Sequence, residues 1–225
     1  MDGTKILGSA NSDYELLNAR VASQNVIYYS YIVSYPDSII KLLRDKGYAT
    51  SIFHGLQGNY MDLRSAYRRE GFDHLFFKEE LIDAGVDARP DMFMKQIPDA
   101  DLFAFALQKT HTPRPFVHFI ITITMHGGNP PMSSRFTGSG YTGDSAYYDQ
   151  ALSEYIQNLP KGCTVFIYGD HQSYSGPKRD GTVPFLIYQN NRNLSELQTK
   201  IPAQTVFSRC EISLYLRKLF SEIKP

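Results

Sequence analysis

Cysteine is scarce. The 225 residues hold two, Cys163 and Cys210, too few for a disulfide framework, and a bridge between them is allowed but not required. Redox compartment is therefore not legible from cysteine. Charge of one sign is also missing, since Lys plus Arg and Asp plus Glu both number 23. That balance gives no electrostatic reason for a nucleic acid or an anionic membrane surface as partner, and any anion site has to be local. Long hydrophobic runs are absent too. The longest, Phe116 to Met125, is broken by His118 and two threonines, and the first thirty residues lack a charged segment followed by an apolar core. This stretch of chain thus carries neither a membrane-spanning segment nor an export signal, which would hold equally for an excised or mature domain of an exported protein. No polar low-complexity tract, internal repeat or dividing linker appears, so residues 1–225 read as a single domain.

What is present suits a packed α/β protein. Hydrophobic residues make up 42% and charged residues 20% of the chain, ordinary values for a globular fold. Asp37-Ser38 before Ile39, Ile40, Leu42 and Leu43, with Gly47 behind, has the form of a capped amphipathic helix with a glycine stop. Ala49 to Phe53 reads as a strand, and helical spacing returns over Tyr60 to Arg69 and Asp99 to Gln108. Pro115 to Thr124 and Cys163 to Tyr168 are apolar, β-branched and aromatic runs of the sort that fill a parallel sheet. Between them Asp144 or Ser145 would cap a helix whose Tyr148, Ala151, Leu152, Tyr155, Ile156 and Leu159 share a face. Strand, helix, strand in that order predicts a crossover that sets the two strands side by side. Val183 to Tyr188 supplies another strand and Arg209 to Phe220 a last helix. Tyrosines and phenylalanines are spread over all these positions, which fits core packing better than a base-stacking surface.

Chemistry-bearing residues gather where apolar strands end. Asp170 and His171 follow Val165-Phe166-Ile167-Tyr168-Gly169, and a carboxylate beside a neutral imidazole suits a divalent cation; a solvated turn is the alternative. His126 closes Thr124-Met125-His126 after the other central strand, either as a backbone-bonded structural histidine or as part of a site. Gly127 to Pro131 forms the loop behind it. Arg64 offers a guanidinium that can take a phosphate or sulfate through paired hydrogen bonds or sit in an ion pair with a carboxylate. His54 ends an earlier strand, with a structural role favoured, and His118 lies inside an apolar run and should be buried. Ligands of open α/β sheets bind at the carboxyl ends of strands, so these loops are the place to look.

An ordered set of segments carries a further signal. It runs through Asn11-Ser12-Asp13-Tyr14-Glu15-Leu16, Ser38 to Leu43 with Gly47 to Thr50, His54-Gly55, Arg64, Tyr67 and Gly71-Phe72-Asp73. It continues with Thr124-Met125-His126, Tyr148 to Leu152, Tyr168-Gly169-Asp170-His171 and Val183-Pro184-Phe185. Together they resemble the lipoteichoic acid synthase and phosphoglycerol transferase branch of the sulfatase-like, alkaline phosphatase superfamily, over about Ser9 to Leu219.

That resemblance implies an α/β fold with a mainly parallel central sheet flanked by helices. It also implies a chain truncated at its N-terminus, because only Met1 to Gly8 precedes the Asn11 motif and the family's first strand with its acidic ligand has no counterpart there. It further implies Asp170 and His171 as ligands of a divalent metal (Mn, Mg or Zn), Arg64 and His126 as phosphate contacts, and an extracytoplasmic location. The partner would be a phosphate-bearing glycan or lipid head group. At the nucleophile position the family's threonine is replaced by Asn11, whose amide cannot form a phosphoester; Ser12, or Ser9 in a shifted register, is left to supply the hydroxyl. The expectations are a phosphate-ester transferase or hydrolase, or a degenerate domain of the same fold that binds an anionic glycan, a head group or a partner without turnover. For the degenerate form, weak metal binding follows.

Overall fold

The computed structural model describes residues 8–23, 27–31, 35–89, 95–126, 140–172, 182–190 and 206–222. The loop Gly127 to Pro131 and residues 1–7 lie outside that set. The chain divides into two compact units: one of residues 1–47, 69–71 and 161–225, the other of residues 48–68 and 72–160.

In the second unit three strands form a parallel sheet in the order β2-β1-β3, with β1 Ala49–His54, β2 His74–Phe76 and β3 Phe116–Ile121. Ser51 faces His74 across one ladder and His118 across the other. The central β1 is buried along its whole length, as expected for a strand covered on both faces. Its side chains alternate between those faces. Phe53 stacks on Phe76 at 5.0 Å and meets Phe105 edge-on at 6.3 Å, which anchors α6 (Asp99–Gln108). On the opposite face Tyr67 of α4 (Leu63–Glu70) lies 6.2 Å from the Phe119 ring. Helix α7 (Gly140–Asn158) packs outside α6, with Tyr155 stacked on Phe103 at 4.9 Å. It begins at Gly140, ahead of the expected Asp144 or Ser145 cap, and Asp144 is buried inside it. A short α5 (Lys78–Asp83) and β2 complete the unit.

The first unit holds α1 (Gly8–Asn18), α2 (Tyr28–Tyr31) and α3 (Ile39–Asp45), the strands β4 (Thr164–Tyr168) and β5 (Phe185–Gln189), and α8 (Arg209–Glu222). Ser38 caps α3 by accepting the Ile40 N–H at 3.2 Å, and Gly47 ends it with φ 87°, as the sequence required. Arg217 of α8 donates to the carbonyls of Leu17 and Asp37, tying α8 to α1 and to the segment before α3. Phe220 meets Phe166 of β4 edge-on at 6.4 Å. The pairing of β4 differs from expectation. Among the described residues β4 pairs only with β5, antiparallel, from Thr164 opposite Gln189 to Tyr168 opposite Phe185, and β3 pairs with β1. Both apolar runs are strands, but apolar composition specifies burial and leaves strand order and direction open. The sixteen residues between β4 and β5 are also enough for either a return hairpin or a crossover.

Candidate active site

In the first unit the turn after β4 and the N-terminal half of α1 build one polar cluster. Gly169 makes the turn possible: its N–H donates to the Pro184 carbonyl at 2.9 Å, and a Cβ there would stand 3.0 Å from Val183 Cβ and 3.1 Å from Pro184 Cδ. An alanine there would require Val183, Pro184 or the turn itself to give by a few tenths of an ångström.

Asp170 is held at every oxygen. Its Oδ2 accepts the Ser9 hydroxyl at 2.5 Å and its Oδ1 accepts the His171 N–H at 2.8 Å. Its carbonyl oxygen accepts both the Ser12 hydroxyl and Arg209 Nη2. His171 Nδ1–H donates to the Gln172 carbonyl at 2.8 Å. That bond sets the tautomer of the neutral ring, with Nε2 as its acceptor nitrogen, 3.7 Å from Asp170 Oδ2. A carboxylate oxygen and an imidazole nitrogen so placed, the ring oriented by a backbone carbonyl, fit a shared divalent cation. Among the described residues no third His, Cys, Asp or Glu joins them.

Helix α1 brings its hydroxyls here by register. Ser9 and Ser12 are three residues apart and share a face, whereas Asn11 points elsewhere. Asn11 is buried, its Nδ2 donates to the Ser23 carbonyl at 3.2 Å, and among the described residues its Oδ1 has no hydrogen-bond partner. The hydroxyl on the Asp170 carboxylate is thus that of Ser9, in the shifted register, while Ser12 contacts the Asp170 backbone and the Gly8 carbonyl at 3.1 Å. The i, i+3 spacing of Ser9 and Ser12 places them on one face only once this segment is helical. Behind them the buried Asp13 accepts the phenols of Tyr168 at 2.8 Å and Tyr29 at 2.5 Å. Burial, then the Asp13 charge, pushes the Tyr168 phenol well above its ordinary range, so Tyr168 stays protonated and donating.

The other candidate residues belong to the second unit. Arg64 donates through Nη1 to Glu80 Oε1 at 2.5 Å and through Nη2 to Glu80 Oε2 at 3.0 Å and Glu79 Oε2 at 3.1 Å. Its guanidinium also lies 5.0 Å above the Phe77 ring. Gly58 gives it room, since a Cβ there would sit 2.7 Å from the guanidinium. The hydrogen bond to Glu80, the Coulomb attraction of both carboxylates and the Glu79 bond together raise its pKa. Arg64 thus forms an ion pair with Glu79 and Glu80. His126 is exposed at the end of a 3₁₀ turn, Thr124–His126. That turn is fastened by Asp99, fully buried, whose two oxygens accept the N–H groups of Ile123 at 2.9 Å and Thr124 at 3.0 Å. Burial raises the Asp99 carboxyl pKa, and these hydrogen bonds pull it back. His54 is buried and donates from Nδ1 to the Ile121 carbonyl at 3.1 Å, a structural role. Burial pushes His118 down to about 4, so its ring is neutral inside β3.

Comparison with known proteins points one way. The family model described as Sulfatase matches residues 7–206. A lipoteichoic acid synthase of Staphylococcus saprophyticus is 24% identical over 148 residues, 59% of this chain and 22% of that protein. Among solved structures, a protein in the alkaline phosphatase superfamily from Vibrio parahaemolyticus superposes with TM-score 0.67 at 14% identity, covering 84% of this chain and 50% of that one. The phosphoglycerol transferase GacH of Streptococcus pyogenes, solved in complex with sn-glycerol-1-phosphate, superposes with TM-score 0.64 at 15% identity, covering 99% of this chain and 68% of that one. The chain spans between a fifth and a quarter of the length of the curated relatives it matches. No described helix is long and apolar enough to cross a membrane.

Proposed function

The chain belongs to the sulfatase family, in the branch that holds the lipoteichoic acid synthases and phosphoglycerol transferases, and from that premise we propose that it transfers or hydrolyses phosphate esters with Ser9 as nucleophile. The observation that carries this reading is the Ser9 hydroxyl on the Asp170 carboxylate at 2.5 Å. Ser9 stands in the first turn of α1, where unpaired N–H groups and the helix dipole favour developing negative charge on its oxygen. In the proposed reaction Ser9 Oγ forms a bond to phosphorus and the bond from phosphorus to the ester oxygen breaks. The hydroxyl proton ends on the departing alcohol, and an acceptor alcohol or water then releases the group from Ser9. Asp170 and His171 are the proposed ligands of a divalent metal, Mn or Mg or Zn. When bound it would polarise the phosphoryl oxygens. Ser12 and Tyr168 keep α1 and β4 in register through the Asp170 carbonyl and Asp13.

His126 and Arg64 are the proposed phosphate contacts, Arg64 by exchanging its carboxylate partners for the substrate. The proposed partner is a phosphate-bearing glycan or lipid head group, in an extracytoplasmic location, with 1–225 as a single family domain. Trapping tests the reading. After brief incubation with Mn²⁺ and a chromogenic phosphodiester, acid quench and peptide mass spectrometry should find a phospho-adduct on Ser9. An adduct on Ser12, or on another residue, would move the nucleophile.

A second reading, binding without turnover, is favoured by one observation: the Arg64 guanidinium is already occupied by Glu79 and Glu80. It predicts phosphodiester binding with no adduct.

A further inference from the structure

We infer that Arg209 is a positioning residue for Asp170, holding the carboxylate by clamping the backbone behind it. The inference rests on the reading of Asp170 as a cation ligand. Arg209 is the first residue of α8, and its planar fork spans two acceptors: Nη2 donates to the Asp170 carbonyl oxygen, and Nη1 lies 3.3 Å from Glu15 Oε2. Both side chains of this ion pair are 18% exposed, so water competes weakly for either end. Glu15 is itself fixed, because its Oε1 accepts the Ala22 N–H at 3.0 Å.

Geometry gives the clamp its purpose. Ser9, Ser12 and Glu15 follow one another at intervals of three along α1, and all three reach the same residue of the neighbouring turn. Ser9 meets the Asp170 carboxylate, Ser12 meets the Asp170 carbonyl, and Glu15 meets it through Arg209. The Asp170 carbonyl therefore has a donor from α1 and a donor from α8. Its peptide plane is fixed, and with it the direction in which the side chain leaves the backbone. Groups that orient a metal ligand from behind change affinity by about 10–100-fold when removed. Lysine would not substitute, since one ammonium on a flexible stem lacks the rigid fork that takes a carbonyl and a carboxylate together. The sequence offers no motif for this role: Arg209 stands 39 residues from Asp170, in a helix that reads as packing.

The test uses R209K and the double variant R209Q/E15Q in the full chain. The double variant removes both charges, so no buried carboxylate is left unpaired and folding is protected. Hydrogen exchange over residues 169–172 is the decisive readout, because the Gly169 and His171 amides are both bonded, at 2.9 and 2.8 Å. The clamp predicts roughly tenfold faster exchange there in both variants, with α8 from Ile212 to Phe220 protected as before, and Mn²⁺ affinity by calorimetry weakened about 10–100-fold. Unchanged exchange at 169–172 overturns the inference. So does faster exchange with wild-type Mn²⁺ affinity, which would make the pair merely structural. A wild-type chain that takes up no Mn²⁺ defeats the functional reading instead, and the exchange result alone then decides for or against the clamp.

Discussion

Glu70 is buried at the end of α4, 4% exposed, with Asn18 Nδ2 donating to its Oε1 at 2.8 Å. Desolvation, opposed by hydrogen bonds from Ser38 and Asn18 and by the Lys41 charge and reinforced by the Asp13 charge, pushes its carboxyl from 4.5 up to about 7. A carboxyl whose pKa is raised on folding stabilises the fold fully below its unfolded value and loses that contribution as pH rises through the folded one. The loss between pH 4.5 and 7 is about 3 kcal/mol, taking roughly 1.4 kcal/mol per pH unit. His118 works in the opposite sense. Its pKa falls from 6.5 to about 4 by burial, so its contribution is present above 6.5 and is lost as pH falls towards 4, again about 3 kcal/mol. The two offset one another across nearly the same window, so their joint contribution is close to flat from pH 4.5 to 6.5. Glu70→Gln keeps the side-chain shape and the acceptor for Asn18 but removes the charge. Urea unfolding followed by circular dichroism should then show the variant's stability rising relative to wild type by about 2–3 kcal/mol over that window. At pH 8 it should exceed wild type by up to about 3 kcal/mol. A variant curve parallel to wild type at every pH would refute the reasoning, because it would mean that Glu70 changes no proton occupancy on folding.

Asp99→Ala removes the carboxylate that accepts two buried N–H groups, at Ile123 and Thr124, and should lower unfolding free energy by about 2–5 kcal/mol; a loss below about 1 kcal/mol by chemical denaturation would show that the turn before His126 does not depend on it. Gly169→Ala drives a methyl group to 3.0 Å from Val183. It should cost about 1–3 kcal/mol in thermal unfolding and weaken Mn²⁺ binding in calorimetry, and an unchanged melting curve would argue that the turn has slack. Arg64→Gln should cost less than about 1 kcal/mol, since Glu79 and Glu80 are both partly exposed and such pairs contribute little. If phosphodiester KM rises while stability holds, Arg64 reaches the substrate; an unchanged KM would leave it an ion pair.

Much of the fold was legible because local pattern and tertiary demand agree. Ser38 and Gly47 delimit α3, Ala49 to His54 make the fully buried β1, and of the expected α6 face Leu102, Phe103 and Ala106 are buried, with Phe105 in place of Leu107. The β4–β5 pairing was not legible, since apolar runs alone do not choose between a parallel neighbour and an antiparallel one. Helix α1 is not legible as a helix because Ser9, Asn11, Ser12 and Asp13 are residues whose side chains compete for backbone hydrogen bonds; burial of Leu16 and Leu17 holds it. Asp170 and His171 were readable as a strand-end pair, but deciding among Asn11, Ser12 and Ser9 requires knowing that α1 is helical and which face it turns to Asp170. Arg209 was out of reach, as its role depends on a contact between distant segments.

The central claim is that Ser9 performs the chemistry, and the direct measurement is steady-state turnover of a chromogenic phosphodiester with Mn²⁺ by wild type, Ser9→Ala and Asn11→Ala. Removing a nucleophile that forms a covalent intermediate typically costs on the order of 10⁶-fold. Ser9→Ala should therefore fall to background while still binding Mn²⁺ through Asp170 and His171. Asn11→Ala, whose amide faces Ser23, should stay within about tenfold of wild type, well short of the loss expected for a nucleophile. Turnover by Ser9→Ala at the wild-type rate would contradict the account outright.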